Sequence, residues 1–341
     1  MEIDNSTQSE VPSPYVGLFE IRNANQWIEK AKTRPIPKML FDVLWYEGEI
    51  NILFADSNVG KSILAVQIAD SISKGKAIPG FRLEQPDSQK LLYFDFELSD
   101  KQFETRYSEN YSNHYQFSEN LQRVEINADA ELPDSFKNNF EAYLLHSLVL
   151  AIERTKAQVL IIDNITYLRN DTERAKDALP LMKELKALKN RYNLSILVLA
   201  HTPKRDMARP LTMNDLGGSS MLMNFCDSAF AIGKSVRDED VRYIKQIKER
   251  SSEKLYGADN VCVCRIRKHS NFLGFDLSGH SEEREHLRER TEKDTKEIDR
   301  QIKEMKEGNP ALSVRDIAKS LNTNKTRVQR ALADCSDGID N

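Results

Sequence analysis

Short apolar runs alternate with amphipathic stretches between residues 49 and 200 of this chain. The runs have the length of β-strands and cover residues 50–55, 91–96, 159–163 and 195–200. Every position in 159–162 and 196–199 is apolar, which is typical of strands that are covered on both faces. The stretches between the runs have helical spacing, as in successive β-α-β units. The pattern therefore predicts an α/β fold built on a mostly parallel sheet.

The pattern changes after residue 227. Apolar and polar positions then alternate in residues 241–247, 261–266 and 272–277. Alternation of this kind indicates strands with one face in the core and one toward solvent. We expect these segments to extend the sheet with antiparallel strands.

Helical patterns flank this main unit on both sides. Near the N-terminus, Trp27, Ile28 and Ala31 have helical spacing, and Pro35 and Pro37 end the helix. Residues 281–307 are dense in charge of both signs and predict a solvated helix. We divide the chain into an N-terminal arm with a short helix (1–34), the main α/β unit (35–280), a charged helical linker (281–308) and a small all-α unit (309–335).

Composition excludes some classes of protein but does not indicate a binding partner. The chain has 341 residues, of which 40% are hydrophobic and 30% charged, so wholesale disorder and fibrous repeats are excluded. Its formal net charge of −4 means that any nucleic-acid site must be local. Cys262 and Cys264 have strand spacing and do not resemble a zinc knuckle. Because there is neither a long apolar segment nor a secretory signal pattern, we expect a cytoplasmic protein.

A phosphate-binding loop follows the first strand of the main unit. Residues 55–62 fit the pattern A/G-x-x-x-x-G-K-S/T between a strand and an amphipathic helix. Backbone N–H groups at such a helix start bind a polyphosphate, Lys61 reaches its β/γ oxygens, and Ser62 binds Mg²⁺. The alternative is an ordinary strand-to-helix turn. The expected ATP-binding residues are Ala55, Asp56, Ser57, Asn58, Val59, Gly60, Lys61, Ser62 and Ile63.

Two later strands end in carboxylates. Asp163 closes an apolar strand, and we expect it in the Mg²⁺ shell beside the loop. Glu97 follows another strand end, where Ser99 and Gln102 form a capping box for the next helix. Glu97 is therefore the candidate base that deprotonates the water attacking ATP, and Asp95 is the alternative.

These motifs, in this order, resemble the RecA-like core of the DnaB-type and RepA-type hexameric helicases. The resemblance covers residues 35–280 and includes the blocks Leu199-Ala-His201-Thr-Pro-Lys204-Arg205, Arg209-Pro210, Asp215-Leu216-Gly-Gly218-Ser219 and Asp227. It implies a RecA-like P-loop NTPase core and makes His201 the sensor of the γ-phosphate. A plain surface histidine at a strand end is the alternative.

The same resemblance implies two further groups of cations. Lys204, Arg205 and Arg209 would contact nucleic acid from a loop facing a central channel, or would simply lie in a solvated loop. Lys248 and Arg250 match an element that reaches the nucleotide of a neighbouring subunit, where an arginine stabilises charge on the γ-phosphoryl. Alternatively, they belong to a charged edge strand that discourages aggregation.

The small all-α unit has the pattern of a helix, a short polar turn and a second helix. Ser313 and Asp316 form a capping box, and Thr323 is the expected cap of the second helix. The second helix presents side chains that donate to phosphates and base edges, as in a helix-turn-helix DNA-binding module. The alternative is a small bundle for protein contacts. The expected DNA-binding residues here are Asn324, Lys325, Arg327 and Arg330.

The function predicted from these residues is an ATP-hydrolysing RecA-like motor on DNA, which forms a homo-oligomeric ring and uses ATP and Mg²⁺. One alternative is a DNA-bound ATPase switch, regulator or loader that does not unwind DNA. A second alternative is a non-enzymatic helix-turn-helix regulator, which the intact Lys61, Ser62, Glu97 and Asp163 disfavour. The helix around Trp27 is expected to dock on an adjacent subunit.

Overall fold

The computed structural model describes residues 14–137, 139–165, 178–203, 205–216, 220–251, 253–289, 292–321 and 323–333. The strands in these ranges are β1 (Tyr15–Val16), β2 (Phe19–Glu20), β3 (Met39–Phe41), β4 (Trp45–Tyr46), β5 (Ile50–Ala55), β6 (Leu91–Asp95), β7 (Ser108–Glu109), β8 (Asn113–His114), β9 (Leu121–Val124), β10 (Val159–Asp163), β11 (Ser195–His201), β12 (Ser228–Lys234), β13 (Val241–Lys248), β14 (Val261–His269) and β15 (Phe272–Ser281). The α-helices are α1 (Ala24–Lys32), α2 (Lys61–Lys74), α3 (Asp100–Arg106), α4 (Phe140–Thr155), α5 (Ala178–Tyr192), α6 (Ser220–Phe225), α7 (Glu292–Gly308), α8 (Val314–Ser320) and α9 (Lys325–Ala333).

A nine-stranded sheet is the centre of the fold. Its order is β15-β14-β13-β12-β5-β11-β10-β6-β9. The strands from β12 to β9 are parallel, and β13, β14 and β15 are antiparallel. The predicted α/β fold with a mostly parallel sheet and an antiparallel extension is therefore confirmed. The strands β9 and β12, which lie in this sheet, were not predicted.

The two faces of the sheet carry separate hydrophobic layers, because successive residues of a strand point to opposite faces. One layer includes Leu53, Tyr93 and Ile161 and packs against α2 and the β3–β4 hairpin. The other includes Phe94 and Ile162 and packs against α4, α5 and α6. Helices on both faces explain why residues 159–162 of β10 and 196–199 of β11 are all apolar.

The main unit extends beyond residue 280, where the sequence pattern placed its end. Strand β15 continues to Ser281, and a 3₁₀ turn follows at Glu283–His286. The carboxylate of Glu283 is buried and forms an ion pair with Lys245 of β13. The helix predicted for the linker is α7, which the structure describes over Glu292–Gly308.

The C-terminal helices α7, α8 and α9 have a small apolar core of their own. It is built on Ile302, Ile317, Ala318, Val328 and Ala331. The capping box of Ser313 and Asp316 is present at the start of α8. The second cap differs from the prediction, since Asn324, and not Thr323, accepts a hydrogen bond from the Arg327 N–H at the start of α9.

The N-terminal helix predicted around Trp27 is present as α1 and begins at Ala24. Asn23 and Gln26 form a capping box at its start. No residue of α1 is buried. Across the described parts of the chain, none of the helices has the length and apolar character needed to cross a bilayer.

Candidate nucleotide site

The phosphate-binding loop joins β5 to α2 at the carboxyl edge of the parallel strands. Asn58 and Gly60 have positive φ angles of 59° and 107°. An added Cβ at Gly60 would also lie 2.8 Å from Ile266 Cδ1, so the end of that side chain would have to shift. Ala55 belongs to β5 and is not among the residues with positive φ, so alanine fits where the motif has its first glycine.

Lys61 lies at the first position of α2 and folds back over the loop. Its Nζ donates to the carbonyl oxygens of Ala55 at 3.0 Å and Asp56 at 3.1 Å. It also contacts Nδ1 of His201 at 3.0 Å. Burial lowers the pKa of Lys61, while nearby carboxylates oppose that shift. The loop therefore presents a positive charge beside the N–H groups of a helix start, the arrangement that binds phosphate.

The other predicted loop residues surround this charge. Ser57 and Asn58 are exposed at the top of the loop, whereas Val59 is buried. The Val59 carbonyl accepts a hydrogen bond of 3.0 Å from Nε of Arg242 on β13. Ser62 and Ile63 are partly buried in the first turn of α2. The antiparallel extension thus holds the loop from one side.

Asp163 is completely buried at the end of β10. The hydroxyl of Tyr93 donates to its Oδ2 at 2.7 Å, while Oδ1 is buried without a hydrogen-bond partner among the described residues. Burial raises the pKa of Asp163 to about 6, and the hydroxyls of Ser62 and Tyr93 oppose this shift. A buried carboxylate oxygen beside the Ser62 hydroxyl is a donor set that suits Mg²⁺, so the residues fit the predicted metal.

Glu97 and Asp95 have different surroundings. The Asp95 side chain forms an ion pair of 2.9 Å with Arg123 and accepts the backbone N–H groups of Glu97 and Leu98. The Glu97 side chain is 38% exposed and faces His201 and Asn164. Hydrogen bonding to His201 is the main cause that lowers the pKa of Glu97. Asp95 therefore shapes the turn, and Glu97 is the carboxylate that a water molecule can reach.

His201 connects the lysine of the loop to Glu97. Its Nδ1 faces Lys61, and its Nε2 lies 3.1 Å from Oε1 of Glu97. The ammonium of Lys61 can only donate, so Nδ1 accepts and Nε2 carries the proton that Glu97 accepts. Asn164 Nδ2 also donates to Glu97 and lies 3.0 Å from Nε2 of His201. Asn164 was not predicted, and its position directly after Asp163 is its one signal in the sequence.

Arg205 has a different place from the one predicted. Its side chain is only 4% exposed, and its Nε forms an ion pair of 3.6 Å with Asp56 of the phosphate-binding loop. Asp56 also accepts the hydroxyl of Thr202. Arg205 cannot contact nucleic acid in this arrangement, because the guanidinium is buried against the loop. Its role as a channel residue is corrected accordingly.

Arg209 of that segment also makes contacts within the chain. The Arg209 side chain is 18% exposed and lies 3.5 Å from the carboxylate of Asp206. The Arg209 carbonyl accepts a hydrogen bond of 2.9 Å from Arg205. Lys204 lies outside the described residues. The described part of this segment is therefore held together by internal contacts.

Lys248 and Arg250 lie at the far end of the sheet from the phosphate-binding loop. Lys248 pairs in register with Ala229, near the start of β12. Its Nζ donates to the carbonyls of Met223 and Cys226 at the end of α6, so in this chain it caps a helix. Arg250 is half-exposed and lies 3.3 Å from the carboxylate of Asp227. Neither cation can reach this chain's own loop, and their action on a neighbouring subunit stays a prediction.

The predicted DNA-binding residues of α9 fall into two groups. Arg327 forms a bidentate ion pair with Asp299 of α7, at 3.0 and 3.1 Å, and Asn324 caps its own helix. Both side chains are thus used within the small unit. Lys325 and Arg330 are exposed. Asn324 is exposed as well, although its Oδ1 accepts the capping hydrogen bond from the Arg327 N–H.

The fold and the site define a P-loop domain on a mostly parallel sheet. A family model described as an AAA domain, AAA_25, matches residues 20–207. The chain belongs to this AAA domain family. Among solved structures, it is similar to the KaiC-like protein PH0186 from the hyperthermophilic archaeon Pyrococcus horikoshii OT3, with 12% identity, a TM-score of 0.44, and coverage of 68% of this chain and 91% of that chain. No curated protein matches the chain.

Proposed function

We propose that the protein is a Mg²⁺-dependent ATPase whose nucleotide state controls an assembly on DNA. The observation that carries the proposal is a series of side-chain contacts: Lys61 contacts His201, and His201 contacts Glu97. It joins the phosphate-binding lysine to Glu97, a carboxylate just after a strand end whose side chain is 38% exposed. Such a connection lets the presence of the γ-phosphate determine the orientation of the base.

Each residue of the site has a separate role in this reaction. Lys61 and the N–H groups at the start of α2 bind the β- and γ-phosphates. Glu97 orients the attacking water and accepts its proton, and the His201 Nε2–H group holds the carboxylate in place. Ser62 and Asp163 would hold Mg²⁺, which neutralises charge on the phosphates when it is bound.

The small helical unit supplies the proposed contact with DNA. Lys325 and Arg330 of α9 are exposed, as are Arg315 and Lys319 of α8. Cations on one small unit give a local positive surface although the whole chain has a formal net charge of −4. This distribution supports binding to the phosphate backbone of a duplex.

The internal contacts of Arg205 and Arg209 favour a switch, regulator or loader over a helicase-type motor. A motor needs cations that contact a translocating strand, and Arg205 is buried on the phosphate-binding loop instead. An ion pair between that loop and the segment after His201 suits a conformational response to nucleotide. A ring in which Arg250 completes the neighbour's site remains part of the proposal. Unwinding of a forked duplex during ATP hydrolysis would instead support the motor.

The proposal is tested by Glu97→Gln. We expect this variant to bind ATP with normal affinity and to hydrolyse it at least about a hundredfold more slowly, because only the proton acceptor is lost. Turnover and binding of a fluorescent ATP analogue are measured separately. Glu104→Gln on α3 is the matched control and should keep wild-type turnover. Wild-type turnover in Glu97→Gln would contradict the assignment and move the base to Asp95.

A further inference from the structure

Lys61 makes three contacts within the protein that a bound nucleotide has to disturb. Its Nζ donates to the carbonyl oxygens of Ala55 and Asp56 and contacts Nδ1 of His201. An ammonium group has only three N–H donors, so a phosphate oxygen that binds Lys61 competes with these contacts. Nucleotide binding therefore changes the surroundings of Asp56, of His201 or of both.

The Asp56 side chain connects the phosphate-binding loop to the segment that follows β11. Its carboxylate accepts the hydroxyl of Thr202 and lies 3.6 Å from Nε of Arg205. The guanidinium of Arg205 also donates to the Arg209 carbonyl at 2.9 Å. A change in the position of Asp56 therefore acts directly on residues 205–211, which we call the 205–211 segment.

A buried ion pair holds the far end of the 205–211 segment. The Glu283 carboxylate accepts the Leu211 N–H at 2.7 Å, and Nζ of Lys245 donates to the Leu211 carbonyl at 2.7 Å. Glu283 and Lys245 also pair with each other, and they are only 1% and 7% exposed. Because buried charges have few alternative partners, Leu211 and Glu283 are expected to move together.

The turn that contains Glu283, residues 283–288, contacts the 205–211 segment a second time. The Arg288 N–H donates to the Met207 carbonyl at 3.1 Å, and the Arg288 guanidinium lies 3.8 Å from the Asp206 carboxylate. Shortly after Arg288 the chain enters the C-terminal unit, α7–α9. The same turn thus joins the 205–211 segment to the helices that carry the proposed contact with DNA.

We propose that the 205–211 segment couples nucleotide binding at the phosphate-binding loop to duplex binding by the C-terminal unit, with Glu283 and Arg288 as positioning residues. The segment has one arrangement when Lys61 bonds to the Asp56 carbonyl and another when Lys61 bonds to phosphate. The 283–288 turn transmits this difference to α7. Energetic coupling between distant sites is carried by such contiguous contacts between two discrete arrangements. The inference rests on the proposed function and adds the connection between its two sites.

The coupling is measured on the full-length wild-type chain with a slowly hydrolysed fluorescent ATP analogue and a short mixed-sequence duplex. The affinity for each ligand is determined alone and with the other ligand at saturation. Coupling is reciprocal, so the two affinity ratios should be equal, and we expect them to differ from one by at least about fivefold. Ratios of one, or failure to bind either ligand, would overturn the inference together with the proposed function.

Glu283→Gln tests the buried pair, because it removes the charge opposite Lys245. We expect the affinity ratio to fall below about twofold, while the affinities for each ligand alone stay within about twofold of wild type. A purely structural role would lower the melting temperature without changing the ratio. Glu282→Gln replaces the neighbouring, partly exposed glutamate and should keep the wild-type ratio.

Arg288→Pro tests the second contact and decides the result if the first variant does not fold. Proline removes the N–H that donates to Met207, and the guanidinium is lost as well. Leu287 has φ of −89° and ψ of 151°, the extended conformation that a following proline favours. We expect the ratio to fall here too. Arg284→Ala removes another exposed arginine of the turn and is the control.

The variants separate failure of the inference from failure of the proposed function. If the wild type shows coupling and a folded Glu283→Gln or Arg288→Pro variant keeps the wild-type ratio, the 283–288 turn does not transmit the change. The inference is then wrong, while ATP turnover and duplex binding still support the proposed function. Equal loss of the ratio in the control variants would also overturn the inference.

Discussion

The nucleotide end of the sheet and the small C-terminal unit both contain candidate ligand-binding cations, but these cations are held differently. Lys61 is 6% exposed and bonds to backbone carbonyls of its own loop. Lys325 and Arg330 are exposed on a nine-residue helix. The loop needs a fixed backbone shape, which its sequence encodes locally. The exposed cations of α9 need only an accessible position on the surface. Their contribution to binding depends on the partner that contacts them.

Replacing Lys61 should give the largest effect at the nucleotide end. In Lys61→Ala the ground-state contact with the phosphates is lost, so we expect ATP binding to disappear and turnover to fall at least about a thousandfold. Binding of a fluorescent ATP analogue and steady-state turnover measure this. Lys74→Ala, at the other end of α2, is the control with unchanged nucleotide affinity. Tight ATP binding by Lys61→Ala would contradict the proposal that this loop binds the phosphates.

Asp163 should make stability depend on pH in the absence of Mg²⁺. Its pKa is about 6 in the folded chain against an ordinary value of 3.8, so the folded state holds the proton more tightly. The contribution of Asp163 to stability is therefore fully present below pH ~4, falls as the pH rises toward ~6 and stays lower above it, by about 2–3 kcal/mol.

Asp163→Asn checks this prediction. The variant should be more stable than the wild type at pH 7 in the presence of a chelator and should lose the fall between pH ~4 and ~6. Added Mg²⁺ with nucleotide should stabilise the wild type and not the variant. Urea unfolding at several pH values measures each effect, and Asp134→Asn serves as an exposed control. A wild-type pH slope in Asp163→Asn would assign the slope to another group.

Arg205 was expected to contact DNA, but its side chain is buried against the phosphate-binding loop. A substitution of Arg205 therefore distinguishes a role at the nucleotide end from a role in DNA binding. Arg205→Ala leaves the partly buried Asp56 without its ion pair and should lower stability by about 1–3 kcal/mol and reduce turnover. Duplex binding should be unchanged. Thermal unfolding, turnover and DNA binding are measured on one preparation, with Arg191→Ala on α5 as control. Loss of DNA binding at normal stability would restore the channel role.

The smallest effect is expected in the C-terminal unit. Lys325→Ala/Arg330→Ala should reduce the salt dependence of duplex binding by about one log–log unit for each lost phosphate contact, with unchanged ATP turnover. Arg300→Ala on α7 removes another exposed arginine and should leave the slope unaltered. A salt titration by fluorescence anisotropy gives the slopes. An identical slope in the double variant would favour the protein-contact bundle.

The sheet could be predicted where strands are continuously apolar. The predicted segments 50–55 and 159–163 match β5 and β10 at both ends. In contrast, β9 was missed because its four residues Leu-Gln-Arg-Val lie at the edge of the sheet and include two polar side chains. β12 was missed because its small residues, Ser228, Ala229, Ala231 and Gly233, give a weak strand pattern.

The site was predictable where a motif fixes the local backbone, as at Gly60 and Lys61. Contacts between residues far apart in the chain were not. Nothing near Arg205 in the sequence shows that its partner is Asp56, and nothing near Arg327 shows that it pairs with Asp299. From the sequence alone, a cation in a polar segment is interpreted as a ligand-binding residue. The fold shows whether a carboxylate from a distant part of the chain pairs with it.

The packing around Gly60 also limits which substitutions the chain can accept during evolution. The space for a Cβ is occupied by Ile266 on β14 and Phe275 on β15, two strands that come late in the chain. A mutation that enlarges either side chain would press on the loop as directly as a mutation within the motif. In related chains, substitutions at positions 266 and 275 should therefore be correlated. We expect the summed volume of the two side chains to stay nearly constant.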